Sequence, residues 1–216
     1  MKKTSAIIVH HKNTKKSAEF LLGYFGELAK NGIPVNAIVM DEKRYANHDT
    51  VNKNALQKVI FLGYFEESTH VADNISDWKF DKFGIRYGWH GNRAIISCPG
   101  TLSEAEFKEM AAYAEGEVKV LEDAEKKVGK KGAKAGIGLL FGGLLAFLLG
   151  PLGWLAFGAK LAIGSVAGIS ALAALAATQD LEPAQIREQQ RKFGVLYFCM
   201  KHLSEFLEIE EKPKAN

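Results

Sequence analysis

The chain has 216 residues, 47% of them hydrophobic and 25% charged, with a formal net charge of +3. That length supports one or two domains with a real core, and the balance excludes a disordered chain, a collagen-like chain and a disulfide-dense miniature. A surplus of three positive charges, with no helix that gathers arginine, also gives no expectation of a nucleic-acid partner. The averages conceal two materials. Of the 53 charged residues only Lys160 falls between Ala135 and Ala177, while ten of the 21 glycines lie between Gly132 and Gly168.

The opening MKKTSAIIVHHKN holds a four-residue apolar run before His10, short of the roughly 7–15 residues of a secretory h-region, so no signal peptide is expected. Residues 5–10, 34–40 and 57–63 are short apolar runs. The last two are rich in Val and Ile and lack polar alternation, as strands covered on both faces do. Between the first two, Phe20, Leu21, Tyr24, Phe25 and Leu28 recur at helical spacing, and Asn31-Gly32 closes the helix. Strand, helix and strand in that order predict a right-handed parallel βαβ unit. Residues 66–78 read as a polar, partly helical connection.

The run FGIRYGWHGNRAIISCPG then predicts an antiparallel hairpin turning at Gly91-Asn92. In TLSEAEFKEMAAYAEG, Ser103 and Glu106 form a capping box and Leu102 can staple onto Phe107. A charged helix over 117–134 is expected to follow. Beyond the apolar block, DLEPAQIREQQRKFGVLYFCMKHLSEFLEIEE predicts one long helix, with Asp180 as its cap and Pro183 in its first turn. Its centre, Phe193 to Met200, is apolar nearly all round and must be buried. Cys98 and Cys199 sit in apolar runs and are expected to be buried, reduced thiols.

Residues 135–177 exceed the ~20 residues that one membrane span needs, and two spans fit if Gly150-Pro151-Leu152-Gly153 is the turn. The arms Gly132–Leu149 and Trp154–Ala177 would then be ~27 and ~36 Å long against a hydrocarbon core of ~30 Å. A turn at Lys160 is the alternative. Lys126, Lys127, Lys130, Lys131 and Lys134 flank the entrance and hold that side in the cytoplasm, so both termini are expected to be cytoplasmic at the cell inner membrane. Trp154 would lie at the far interface, and Lys160 could snorkel toward it. Gly138/Gly142 and Gly164/Gly168 are four apart, a spacing that lets helices approach in lipid. Packing of the two arms and homo-oligomerisation, with Lys160 lining a polar path, both follow from it.

The expected architecture is therefore α/β. A cytoplasmic three-layer sandwich of about five strands (residues 1–128) carries an inserted two-helix transmembrane hairpin (129–178) and a C-terminal helix (179–212) that returns to the sheet. Ligands of such sheets lie beyond the carboxyl ends of the strands, and a helix N-terminus there favours anions. Lys12, Lys15 and Lys16 beside Thr14 predict a site for a phosphate or nucleotide, with a solvated basic turn as the plainer account. His11, Asn13 and Glu66 complete the candidate ligand-binding residues. The pairs Asp41-Glu42 and Glu66-Glu67 would share that edge as ribose ligands, as acid and base, or as solvated loop acids. Asp77-Trp78 and Trp89-His90 are exposed-site candidates or packing indoles. The six histidines show no metal-ligand spacing, and GxSxG, P-loop and GxGxxG patterns are absent.

The run VHHKNTKKSAEF, with KVIFLGYFEES after the third strand, resembles the start of a flavodoxin-like domain over residues 4–70. Asn13 and Thr14 match the end of the loop that wraps a flavin phosphate in that family, and Ala18 matches the small residue of the helix that follows it. Lys12 stands in place of its glycine, and Val9 and His11 in place of hydroxyl residues. The resemblance implies a Rossmann-type topology and FMN or another nucleotide as the cofactor class. In architecture alone, the chain resembles two-helix membrane effectors of bacterial stress or antiphage defence. The functional expectation is a membrane-anchored signalling or effector protein. Its α/β domain would sense a nucleotide-like or phosphorylated ligand, or a partner. Its hairpin would oligomerise or permeabilise the bilayer. A membrane-tethered nucleotide-using enzyme and a structural subunit of a membrane complex are the alternatives.

Overall fold

The computed structural model describes residues 4–30, 35–48, 57–128 and 182–208. The apolar stretch 135–177, with Gly138, Gly142, Pro151, Trp154, Lys160, Gly164 and Gly168, lies outside them, as does Asp180. Among the described residues no helix is long and apolar enough to cross a membrane. The chain divides into two units, residues 1–99 with 194–216, and residues 100–193.

The first unit is built on a mixed six-stranded sheet. Strands β1 (Thr4–His10), β2 (Val35–Asp41), β3 (Lys58–Leu62), β4 (Phe80–Lys82), β5 (Ile85–His90) and β6 (Arg93–Ser97) lie in the order β2-β1-β3-β6-β5-β4. β1 pairs in parallel with β2 and β3, and β3 in parallel with β6; β5 is antiparallel to both β6 and β4. Every residue of β3 is buried, as the unbroken apolar run predicts for a central strand.

Helices flank the sheet on both faces: α1 (Lys15–Lys30), α2 (Glu42–Ala46), α3 (Glu66–Asp73), part of α5 (Pro183–Lys201) and α6 (Leu203–Leu207). From β1 the chain moves one way to β2, then reverses past β1 to β3. With right-handed crossovers, that reversal puts successive helices on opposite faces. On one face Ile7, Val9, Met40, Val59, Phe61 and Ile95 form a core with Tyr45 of α2, Val71 of α3 and Ile75. The other face carries Ile8, Ile60, Leu62, Ile85, Tyr87 and Ile96, all buried. There Tyr87 meets Tyr197 and Phe198, and Trp89 meets Phe198 and Phe206. Tyr24 of α1 lies beside Cys199 of α5, so α1 covers the same face; burial pushes the phenol of Tyr24 and the thiol of Cys199 far up.

Three expectations are corrected here. A sixth strand exists: β4 joins β5 through Phe83-Gly84, where both φ angles are positive (54° and 58°), as a tight primed hairpin turn needs. The C-terminal helix is two helices, broken at His202, where the Nδ1 atom lies 3.1 Å from Glu205 Oε2. Cys98 is only partly buried, whereas Cys199 is buried, and neither is in a disulfide. The connection over 66–78 resolves into α3, and the Gly91-Asn92 turn forms with Gly91 at φ 56°. Beyond α6, Lys58 Nζ, buried at the start of β3, pairs with Glu208 Oε1 at 2.6 Å and stands 5.2 Å over the Phe206 ring.

In the second unit, α4 (Glu104–Val128) begins at the capping box expected of it. Ser103 N–H donates to Glu106 Oε2 (2.8 Å), and Glu106 N–H returns to Ser103 Oγ (3.3 Å). The Ser103 hydroxyl, donating to Glu106 Oε2 at 2.6 Å, and then the Ser103 N–H hold the Glu106 carboxyl below the usual range. Leu102 and Phe107, the two staple residues, are both buried. The first half of α5 is tied to residues 100 and 101: Arg187 Nη1 donates to Thr101 Oγ1 (2.9 Å) and Gln190 Nε2 to the Gly100 carbonyl (3.3 Å).

Candidate functional site

Because β1 leads to β2 on one side while β3 leads away on the other, the carboxyl ends of β1 and β3 flank a topological switch point, where open α/β sheets bind ligands. The β1–α1 loop sits at that edge as one turn of 3₁₀ helix, Lys12–Thr14, capped by His11. His11 N–H donates to Thr14 Oγ1 (3.1 Å), Thr14 N–H donates to the His11 carbonyl (2.9 Å), and Asn13 N–H points to His11 Nδ1 (3.4 Å). The turn thus satisfies much of its own backbone, as a helix N-terminus must.

Thr14 does more than cap. Its hydroxyl lies 2.8 Å from the Leu62 carbonyl and 3.1 Å from that of His11, and its one proton serves the nearer acceptor. The loop is thereby stitched to the end of β3. Across the switch point Gly63 turns the chain with φ 122°, and Ser68, fully buried, accepts from Phe65 N–H (2.8 Å) while its Oγ lies 2.9 Å from the Gly63 carbonyl. Both loops are therefore fixed rather than slack. Thr14→Val keeps the shape and removes these bonds. It should cost about 1–3 kcal/mol, read as a lower thermal midpoint and faster amide exchange at His11.

The expected ligand-binding residues are brought to one edge but not into one set. Lys12, Asn13 and Lys15 are exposed, and Lys15 faces Glu19 at 3.9 Å, a surface pair worth little. Glu66 opens α3 on the opposite side of the switch point and is exposed. His11 lies toward β2, its Nε2 3.8 Å from Glu42 Oε1. Asp41 Oδ1 accepts from Arg44 N–H (2.9 Å), and this bond, first among its causes, holds the Asp41 carboxyl below its ordinary range. The pair Asp41-Glu42 thus starts α2 as a cap and its first residue.

Thr14 is committed to Leu62, and a lysine stands where the flavin loop has glycine. The turn accordingly does not fit the FMN-phosphate cradle that the resemblance implies, and no redox step follows from it. Sequence reasoning overlooked three groups at this edge. His10 is buried at the end of β1, Ser17 is buried in the first turn of α1, and Tyr64 is an exposed aromatic (42%) between β3 and α3. Only Tyr64 left a signal, as an aromatic just past the glycine that ends a strand. Trp78 and Trp89 pack instead of forming a site: Arg86 stacks on Trp78 at 4.2 Å, and Trp89 lies against Phe198 and Phe206. Among the described residues no three His, Cys, Asp or Glu side chains are placed to hold a metal ion.

Comparison of the chain with protein-family models, with curated proteins and with solved structures finds no match.

Proposed function

We propose that this protein is a membrane-anchored effector: a cytoplasmic α/β domain of Rossmann type that senses a nucleotide-like or phosphorylated ligand and acts on the bilayer through residues 129–178. The observation that carries the reading is the 43-residue stretch with one charge, led by five lysines and joined at both ends to helices of a charged, folded domain. The order β2-β1-β3, with a basic turn at the switch point, supports the sensing half. The antiparallel pair β4 and β5 departs from an all-parallel flavodoxin sheet, so the likeness bears on topology and not on flavin chemistry.

In this reading the hairpin turns at Pro151, Trp154 marks the far interface, and the Gly138/Gly142 and Gly164/Gly168 pairs bring arms together within and between copies. Lys160 is the one ionisable group in the span, and it lines a polar path once copies assemble. Both termini stay at the cytoplasmic face of the inner membrane.

The test is to express the full chain and record membrane potential with a voltage-sensitive dye. Wild-type protein should depolarise the cells, and Lys160→Leu should reduce the effect several-fold at equal expression. Unchanged potential under every trigger removes permeabilisation and leaves an anchor. Recovery of the protein in the supernatant after an alkaline carbonate wash removes the membrane reading entirely.

A further inference from the structure

The two edges of the sheet are finished differently. At one, β4 is three residues long, and two of them, Asp81 and Lys82, are exposed charges, the kind of edge that discourages pairing. At the other, β2 runs seven residues with no lysine or proline and no charge before Asp41, and Ile38 at its middle is 46% exposed. Among the described residues no strand pairs with its outer side, so a row of backbone N–H and C=O groups is open to another strand. We propose that a second copy of this chain covers this edge. Its β2 pairs antiparallel with β2 about a two-fold axis at Ile38, and the two six-stranded sheets join as one.

The helix layer beside the edge shows what kind of partner fits. Register with β1 puts Ile38 and Met40 on the face of α2 and α3, and Val35, Ala37 and Val39 on the face of α1. α1 buries Ala18, Leu21 and Phe25 against the sheet, and its Tyr24 flank lies beside Cys199 of α5. The opposite flank therefore looks out past β2, with Leu22, Gly26 and Ala29 exposed along it at helical spacing. Gly23 and Gly26 weaken the helix, yet a Cβ built on either meets nothing within 4 Å, so no neighbour in the described chain requires them. A neighbouring helix does, because small residues let it lie close.

A lone foreign strand satisfies β2 but leaves the α1 flank bare. A second copy brings strand and helix together: β2 is ~23 Å long and α1 ~24 Å, which sets mid-helix Leu22 near the level of mid-strand Ile38. Pairing about Ile38 sets Ala37 opposite Val39, Asn36 opposite Met40 and Val35 opposite Asp41, so every residue of the strand is used. Antiparallel order also keeps the acidic ends apart. Asp41 of one copy lies ~20 Å from Asp41 of the other, whereas parallel order sets the carboxylates side by side. Two layers ~20 Å deep along ~23 Å of strand give an outline of roughly 450 Å² per copy, and surface relief raises it toward the ~600 Å² of the smaller stable dimers. The contact uses each β2 edge once, so assembly closes at two copies with the guarded β4 edges outermost.

The test places a cysteine on the axis of the full chain, oxidises the cell lysate and reads linked dimer on a non-reducing gel, with the wild type as background for the native thiols. Ile38→Cys meets its own counterpart at ~5 Å between Cβ atoms, close enough for a disulfide, whereas Asn36→Cys stands ~14 Å from its counterpart. Ile38→Cys should link several-fold more than Asn36→Cys or the wild type. Adding Gly26→Lys, where the chain itself leaves room for a side chain, should cut the linked fraction several-fold with no fall in thermal midpoint. Adding Gly26→Ala should leave most of it. Three results overturn the inference: no link above background, equal linking by Asn36→Cys, and a linked fraction that Gly26→Lys does not lower. A link from the Ile38→Cys chain to a different protein overturns it too and gives the edge to a foreign strand. Association through residues 129–178 alone produces no selective link at position 38, so this contact stands or falls separately from the membrane reading.

Discussion

Replacing Phe61 by alanine should lower stability by about 3–5 kcal/mol and the thermal midpoint by roughly 10 °C, the largest loss expected from any single truncation in the sheet. Phe61 is fully buried in the central strand, on the face that α2 and α3 cover. Its ring meets Tyr45 edge-on at 5.3 Å and Phe65 at 5.6 Å, so one side chain joins β3 to α2 and to the loop that starts α3. Deleting it removes a large apolar area and two aromatic contacts, and leaves a cavity that neighbours on three elements cannot all close. Phe61→Leu retains most of the volume and should cost about 1.5 kcal/mol or less. Circular dichroism melts of the three proteins check both values. A loss under 1 kcal/mol for the alanine variant would mean that the α2 and α3 side of the sheet is not a packed core.

Much of the fold was legible because the strongest signals were local. The unbroken apolar character of 57–63 announced a strand covered on both faces, and Ser103 with Glu106 announced the start of α4 to the residue. Gly91-Asn92 announced its turn because a positive φ needs a permissive residue. What escaped notice lacked such signals. β4 is three residues long, two of them charged, and its turn places Phe83, not a glycine, at a positive φ. The break at His202 has no proline or glycine to mark it; His202 and Glu205 simply offer one another a partner at the joint.

The candidate site was legible by position but not by role. The switch point follows from strand order, which chain order and hydrophobic pattern already suggest. Which side chains face a ligand does not follow, because that depends on where their hydrogen bonds go. Thr14 has the residue type of a phosphate ligand, yet its proton goes to Leu62. His10 has the look of one more histidine in a basic run, yet it is buried with its Nδ1 engaged by the His11 carbonyl. Cys98 fails for a related reason: an apolar run fixes hydrophobicity on average, and the residue after the last residue of β6 is no longer held in the sheet.

Gly194→Val should destabilise the protein by about 2–4 kcal/mol, although glycine inside a helix is ordinarily a poor choice by about 1 kcal/mol. A Cβ built on Gly194 would stand 2.8 Å from Cγ2 of Ile85, closer than real carbon atoms approach. Ile85 is fully buried and β-branched, so that methyl group cannot swing aside without rotating into neighbours. The missing side chain is what lets α5 settle against β5, bringing Tyr197 within 4.9 Å of Phe80 and Phe198 within 5.5 Å of Tyr87. Gly194→Ala gains helix propensity and meets the same clash with its single carbon, so its net loss should be smaller, about 1 kcal/mol. Pairing Gly194→Ala with Ile85→Val does not remove the opposing methyl group, whereas Ile85→Ala does, at its own cavity cost. The double variant Gly194→Ala/Ile85→Ala should therefore lose less than the two single losses added together. A double-mutant cycle on thermal or urea unfolding gives that coupling directly. Strict additivity would show that α5 already stands clear of the sheet at this point. Coupling of about 0.5 kcal/mol or more places Gly194 of α5 in direct contact with Ile85 of β5.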